Sequence, residues 1–129
     1  MNNRQELPSW QFLVEHAQQM KQQHLNQLFA NDEQRFDKFT IKLPHLLLDY
    51  SKNLVTQQTM DGLIKLAKDC DIEQWRDKMF SGEKINLTEN RAVLHTALRD
   101  RSGKTLILDG ENITETINQE LAKMEMFVR

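Results

Sequence analysis

The most informative stretch of this sequence runs from Gly82 to Arg99 and reads GEKINLTENRAVLHTALR. Its first half is rich in polar side chains, which predicts a surface loop from Glu83 to Glu89. Its second half carries apolar side chains at helical spacing, including Val93, Leu94 and Ala97. We therefore predict a loop that leads into a helix from about Asn90 to Asp100.

Three side chains of the second half are candidates for binding. Arg91, His95 and Arg99 recur at intervals of four residues, so a helix would place them on one face. Such a row of hydrogen-bond donors suits a phosphate or an acidic partner surface. A solvated polar face is an equally good interpretation of the same spacing. We treat this row as a candidate domain-contact face.

The loop in the first half offers a second candidate, formed by Glu83, Lys84 and Asn86. A carboxylate beside an amine is one arrangement that acid–base chemistry uses. In a surface loop, however, adjacent Glu and Lys are more often a solvated pair of little energetic consequence. We therefore assign these residues a supporting role in the loop.

The rest of the chain is dominated by helical periodicity. A helix after Ser9 would present Trp10, Leu13, Val14, Ala17 and Met20 on one face, and a helix after Thr56 would present Met60, Leu63, Ile64 and Ala67. Further helices are predicted around residues 24–29, after Asp71 up to Ser81-Gly82, and after Asn112. Short extended runs flank Pro44, which restricts them to a sheet edge, and another covers residues 106–108. The predicted fold is mostly α, with several amphipathic helices and one or two short edge strands.

Composition narrows the function further. The chain has 129 residues, which predicts one domain, and a net charge of -2, which predicts neither nucleic acid nor a membrane surface as a partner. Its single cysteine, Cys70, fits a reducing cytoplasm. The four histidines lack metal-ligand spacing and the four glycines are isolated, so we expect no metal site, no cofactor and no Gly-rich phosphate loop.

The stretch from Gly82 to Arg99 resembles the block G-E-K-I-N-x-T-E-x-R-A-V-L-H-x-A-L-R of the glucose-6-phosphate isomerase family at every fixed position. Asn90 departs from the family, which usually has glycine there. Residues 46–53, LLLDYSKN, resemble the family's L-L-x-D-Y-S-K-N block, and residues 75–80, WRDKMF, precede the main block as they do in the family. Residues 24–36 resemble its early helix and loop, so the resemblance covers nearly the whole chain.

The resemblance implies an enzyme that interconverts glucose 6-phosphate and fructose 6-phosphate in glycolysis and gluconeogenesis. It implies a cytoplasmic homodimer without a cofactor, built from two α/β sugar-isomerase domains with helices packed around them. In the family, a glutamate moves the proton through an enediol, and a Gly-rich loop with Ser and Thr hydroxyls binds the phosphate.

No position of this chain matches those catalytic parts. The resemblance therefore implies that residues 1–129 form an N-terminal helical segment that stops before the Gly-rich loop. Such a segment would contain no catalytic residue, would pack on the remaining sugar-isomerase domains, and would be inactive alone. The alternative is a stand-alone helical interaction module that shares ancestry with the isomerase.

Overall fold

The structure is a computed structural model that describes residues 3–128. These residues form six α-helices and two antiparallel two-stranded hairpins, which confirms the prediction of a mostly α fold. In chain order the elements are α1 (Pro8–Met20), α2 (Leu25–Ala30), α3 (Arg35–Lys38), β1 (Thr40–Leu43), β2 (Leu46–Asp49), α4 (Gln57–Asp69), α5 (Ile72–Ser81), β3 (Ile107–Leu108), β4 (Glu111–Asn112) and α6 (Ile113–Val128). The chain divides into two compact units between Cys70 and Asp71.

In the first unit α1 packs against α4, and the buried face of α1 differs from the predicted one. Ser9, His16 and Met20 are buried, whereas Val14 is exposed. The apolar pattern predicted the wrong face because the polar residue His16 has a hydrogen-bond partner on α4. Nε2 of His16 lies 2.7 Å from Oγ1 of Thr59. Buried polar groups are tolerated when they are hydrogen-bonded, so a histidine takes a core position here.

The start of α1 also differs from the prediction that Ser9 caps it. The helix begins two residues earlier, with Pro8 as its first residue and Leu7 at the cap. Proline suits this position because the first turn does not use its backbone N–H and the ring fixes φ near the helical value.

Helix α4 begins as predicted, and its contact with α1 depends on Gly62. Thr56 caps the helix, and its side chain accepts a hydrogen bond from the backbone N–H of Thr59. A Cβ at Gly62 would lie 2.6 Å from Cε1 of Phe12, so only glycine lets the two helices approach this closely. Leu63 and Ile64, predicted to face inward, are exposed.

Arg35 organises the rest of the first unit from inside. Its side chain is only 2% exposed and is held by backbone carbonyls. Nε donates to the carbonyl of Ser51 at 2.8 Å, and Nη2 donates to the carbonyls of Asn53 and Val55 at 2.8 and 3.0 Å. The guanidinium also lies 4.7 Å from the centroid of the Phe39 ring. Arginine thus fixes the loop that connects β2 to α4.

The β1–β2 hairpin confirms the two predicted strands around Pro44. Ile41 pairs with Leu48, and Leu43 pairs with Leu46. Because partners in an antiparallel pair share a face and side chains alternate, these four apolar side chains lie on one face of the hairpin. All four are about half exposed, at 47–58%.

In the second unit α5 ends at Gly82, as predicted. Gly82 is buried at φ +80°, and a Cβ there would lie 2.5 Å from Cδ2 of Leu108. The strand at Ile107–Leu108 was predicted, but its partner β4 was not. The two strands are joined by Asp109 and Gly110, both at positive φ, and Asp-Gly is a typical sequence for such a turn.

Helix α6 confirms the prediction of a last helix after Asn112, whose Oδ1 accepts a hydrogen bond from the backbone N–H of Glu115. The predicted helix from Asn90 to Asp100 is wrong. Only Ala97–Arg99 is helical, as a short 3₁₀ turn. Arg91 instead exchanges two backbone hydrogen bonds with Asn86. That pairing and the positive φ of Asn90, +53°, prevent a helix from starting there.

Candidate functional site

The loop from Glu83 to Arg91 is held together by its own polar groups. The backbone pairing of Asn86 with Arg91 closes a tight loop. Inside it, Oγ1 of Thr88 donates to Oδ1 of Asn86 at 2.8 Å, and Nδ2 of Asn86 donates to Oε2 of Glu89 at 3.3 Å. Asn86 thus joins both ends of the loop through its backbone and its side chain, and its supporting role in the complete protein stays a prediction.

The neighbouring side chains of Glu83 and Lys84 form ion pairs with other residues and not with each other. Nζ of Lys84 lies 2.9 Å from Oδ2 of Asp109, in the β3–β4 turn. Oε2 of Glu83 lies 4.0 Å from Nζ of Lys78 on α5. All of these side chains are partly exposed, so the contacts tie the loop to its neighbours without creating a buried acid–base site.

The backbone conformation of Asn90 explains why asparagine can stand where the family that this stretch resembles usually has glycine. Its φ of +53° lies in the left-handed region, where glycine carries no penalty. Asparagine is among the residues that enter this region most readily. Asparagine can therefore occupy this left-handed position, which glycine would also occupy without strain.

The row of Arg91, His95 and Arg99 does not exist as a helix face. Arg91 lies in the loop, with Nη1 4.0 Å from Oε2 of Glu89. His95 and Arg99 lie further on, where Nη1 of Arg99 donates to the carbonyl of His95 at 3.0 Å. The role of these residues as a domain-contact face stays a prediction. In the structure His95 and Arg99 are in contact, whereas Arg91 lies apart from them in the loop.

His95 and Arg99 line an open cleft of about 920 Å³ in the second unit. The cleft lies among the end of α5, the segment from His95 to Leu106, and α6. Phe80, Leu106 and Ile117 give it an apolar wall. Arg101 and Lys104 add two cations that our sequence analysis missed, although the spacing of the basic residues in 99–104 was visible.

One carboxylate belongs to this cleft, and it is already engaged. Oδ1 of Asp100 accepts a hydrogen bond of 2.8 Å from the backbone N–H of Ser102. That bond, followed by the Ser102 hydroxyl and by the charges of Lys104 and Arg101, holds the pKa of Asp100 below its ordinary value. Arg99, Arg101 and Lys104 therefore leave the cleft with an excess of positive charge.

This arrangement is suited to binding an anionic group.

Among residues 3–128 no group of three His, Cys, Asp or Glu side chains is placed to hold a metal ion. Within the same residues no helix has the length and apolar character needed to cross a membrane.

Comparison with known proteins explains the motif around this cleft. The family model of phosphoglucose isomerase matches residues 49–129, which include the loop from Glu83 to Arg91 and the cleft. This chain belongs to the phosphoglucose isomerase family. The resemblance that the sequence stretch 82–99 suggested is thereby confirmed.

Relatives within the phosphoglucose isomerase family cover the first part of the chain as well. Glucose-6-phosphate isomerase of Pseudoalteromonas translucida is 57% identical over 128 residues, which is 99% of this chain and 23% of that protein. Glucose-6-phosphate isomerase 1 of Colwellia psychrerythraea is 56% identical over 128 residues, also 23% of its length. Glucose-6-phosphate isomerase of Methylococcus capsulatus is 43% identical over 122 residues, which is 22% of its length. The chain thus spans about a quarter of the length of these relatives.

Proposed function

We propose that this chain is the N-terminal part of a glucose-6-phosphate isomerase and that it supports catalysis by packing on the remaining sugar-isomerase domains. The observation that carries the proposal is the 57% identity to the Pseudoalteromonas translucida isomerase over 99% of this chain. A chain of this identity is expected to fold as the matching segment of the relative does, and the relative continues beyond that segment. The substrates of the complete protein are then glucose 6-phosphate and fructose 6-phosphate.

A supporting role fits the surfaces of the chain. In α6 the side chain of Phe127 is 92% exposed, and the apolar face of the β1–β2 hairpin is about half exposed. Apolar patches of this kind on a protein surface mark interaction sites. We infer that the remaining domains of the isomerase cover them, within a cytoplasmic homodimer that needs no cofactor.

The 129-residue chain alone should not isomerise glucose 6-phosphate. Sugar isomerisation needs a positioned base and a held phosphate, and together these supply many orders of magnitude in rate. The cleft at Arg99 offers positive charge, but its carboxylate, Asp100, has a pKa below its ordinary value and is therefore a weak base.

The test joins this chain to the remaining three quarters of the Pseudoalteromonas translucida relative. We expect the joined polypeptide to turn over glucose 6-phosphate in a coupled assay, while the 129-residue chain and the remaining part give only background rates. A joined polypeptide that folds but is inactive would contradict the proposal and favour a stand-alone helical module. Turnover by the purified 129-residue chain would contradict its inactivity.

A further inference from the structure

The cleft beside Arg99 has donors that nothing in the described part of the chain uses. Arg99 and Arg101 each engage one nitrogen, Nη1, in hydrogen bonds to backbone carbonyls. Within residues 3–128 the only side-chain hydrogen bonds of the two arginines are these Nη1 bonds, and Arg101 and Lys104 act on the Asp100 carboxylate only through their charge. Guanidinium groups held at one nitrogen keep the geometry to bind a carboxylate with the others.

The cleft is also apolar on one side, which decides the kind of ligand. Phe80 is 61% exposed and lines the cleft together with Leu106 and Ile117. A small anion such as phosphate would contact the cations but would leave this wall bare. A volume of about 920 Å³ is much larger than a phosphate ion and accommodates several side chains.

We propose that this cleft receives a segment of the remaining isomerase polypeptide, which inserts a carboxylate among Arg99, Arg101 and Lys104 and an apolar side chain against Phe80. The inference rests on the proposed function and names the surface and the chemistry of its contact. An occupant from the same enzyme is available because the chain spans only 23% of the length of its Pseudoalteromonas relative. The excess positive charge of the cleft selects an acidic segment.

The test reverses two charges of the cleft in the joined polypeptide, with Arg101→Glu and Lys104→Glu. The matched control carries Arg76→Glu and Lys123→Glu, which reverse two exposed charges of the second unit outside the cleft. We expect the cleft variant to melt about 5 °C or more below the control, on the scale by which stability changes shift melting temperature. The difference should shrink as NaCl is raised, because salt screens the new repulsion.

The same two double variants in the 129-residue chain complete the design. There the acidic segment is missing, but each variant loses contacts within the chain: Arg101 donates to the carbonyls of Leu98 and Asp100, and the control removes two exposed ion pairs. The difference between the two variants in this chain is therefore the baseline, and the joined polypeptide should show a clearly larger difference. A difference of the same size in both polypeptides would contradict the inference. If the cleft variant of the joined polypeptide does not fold, Arg101→Gln with Lys104→Gln should give a smaller shift in the same direction. Equal shifts of the cleft and control variants in the joined polypeptide would overturn the inference.

Two further outcomes separate the alternatives. If the joined polypeptide without substitutions is inactive, the proposed function fails, whereas equal melting shifts in an active polypeptide refute only the contact. If sodium phosphate raises the melting temperature of the 129-residue chain more than NaCl of equal ionic strength does, and the cleft variant abolishes this, the cleft binds a small anion and the inference is wrong.

Discussion

At the scale of single residues, the left-handed positions carry much of the local structure. Asp71, Asn90 and Asp109 have positive φ without being glycine, and Gly82 combines a positive φ with a buried site. Gly82 ends α5 and lies against Leu108, so it meets two demands at once. The helix end requires a left-handed backbone, and the contact with Leu108 leaves no room for a Cβ. Substitutions can separate the two effects.

Gly82→Ala should lower the free energy of unfolding by about 2–5 kcal/mol. About 1–2 kcal/mol comes from the left-handed backbone, and about 1–3 kcal/mol from the overlap with Leu108. Gly103→Ala is the matched control, because Gly103 has φ +77° but no atom within 4 Å of a built Cβ. Urea denaturation should show a loss of only about 1–2 kcal/mol for the control. Equal losses would mean that Leu108 moves aside without cost.

Arg35→Lys tests whether the fork of the guanidinium holds the loop after β2. One ammonium cannot reach the carbonyls of Ser51, Asn53 and Val55 together, so buried acceptors lose their donors. We expect a loss of about 2–4 kcal/mol in urea denaturation, since each unsatisfied buried group costs about 1–3 kcal/mol. Arg76→Lys, at an exposed ion pair with Asp77, should change stability by less than about 0.5 kcal/mol. A similarly small change at Arg35 would show that its charge alone suffices.

At the scale of elements, the β1–β2 hairpin has one apolar and one mixed face. Ile41, Leu43, Leu46 and Leu48 share the apolar face, while Lys42 and Leu47 pair on the other. A two-stranded sheet with an exposed apolar face favours association with other chains. Our sequence analysis did not identify this face, because Pro44 had marked the strands only as an edge.

Leu43→Lys with Leu46→Lys should therefore reduce self-association of the 129-residue chain. Two ammonium groups on this face would repel the same face of a second copy. They also lie opposite each other in the hairpin, a cost that the control shares because Leu47 pairs with Lys42. Leu47→Lys, on the opposite face, should reduce association less. Light scattering at rising protein concentration compares the variants with the unsubstituted chain. If the unsubstituted chain stays monomeric at high concentration, the prediction of an association-prone surface is wrong.

At the scale of the whole molecule, the stability of the chain depends on carboxylates with lowered pKa values. The pKa of Asp49 lies below its ordinary value of 3.8, first because the Ser51 hydroxyl donates to Oδ1 and then because the Ser51 backbone N–H does. A hydrogen bond from Lys38 is the largest cause that lowers the pKa of Asp32. Both groups bind protons more readily in the unfolded chain than in the folded one.

The sign of the pH dependence follows from that difference. The stabilisation from Asp49 is complete well above pH 3.8 and is lost as the pH falls through the lowered folded value. The free energy of unfolding should thus decline below about pH 4–5. Asp49→Asn removes one titrating group, so the decline measured by urea denaturation at several pH values should be shallower. An equally steep decline in this variant would exclude Asp49 as a contributor.

The sequence alone determined the mostly α fold, the start of α4, the bounds of α5, the strands around Pro44 and the family. These depend on local signals: the cap at Thr56, the stop at Gly82 and the motif of residues 82–99. Helical periodicity and caps act within a few residues, so a sequence carries them directly.

Only the tertiary structure decided which residues form the cleft and which face of α1 is buried. The apolar spacing of residues 93–97 predicted a helix with Arg91, His95 and Arg99 on one face, but the backbone of Asn86 pairs with that of Arg91 instead. His16 became a core residue because Thr59 on another helix supplies its hydrogen bond. Thr59 is 43 residues from His16 in the chain, and the free energy of burying a polar group depends on whether its partner is there.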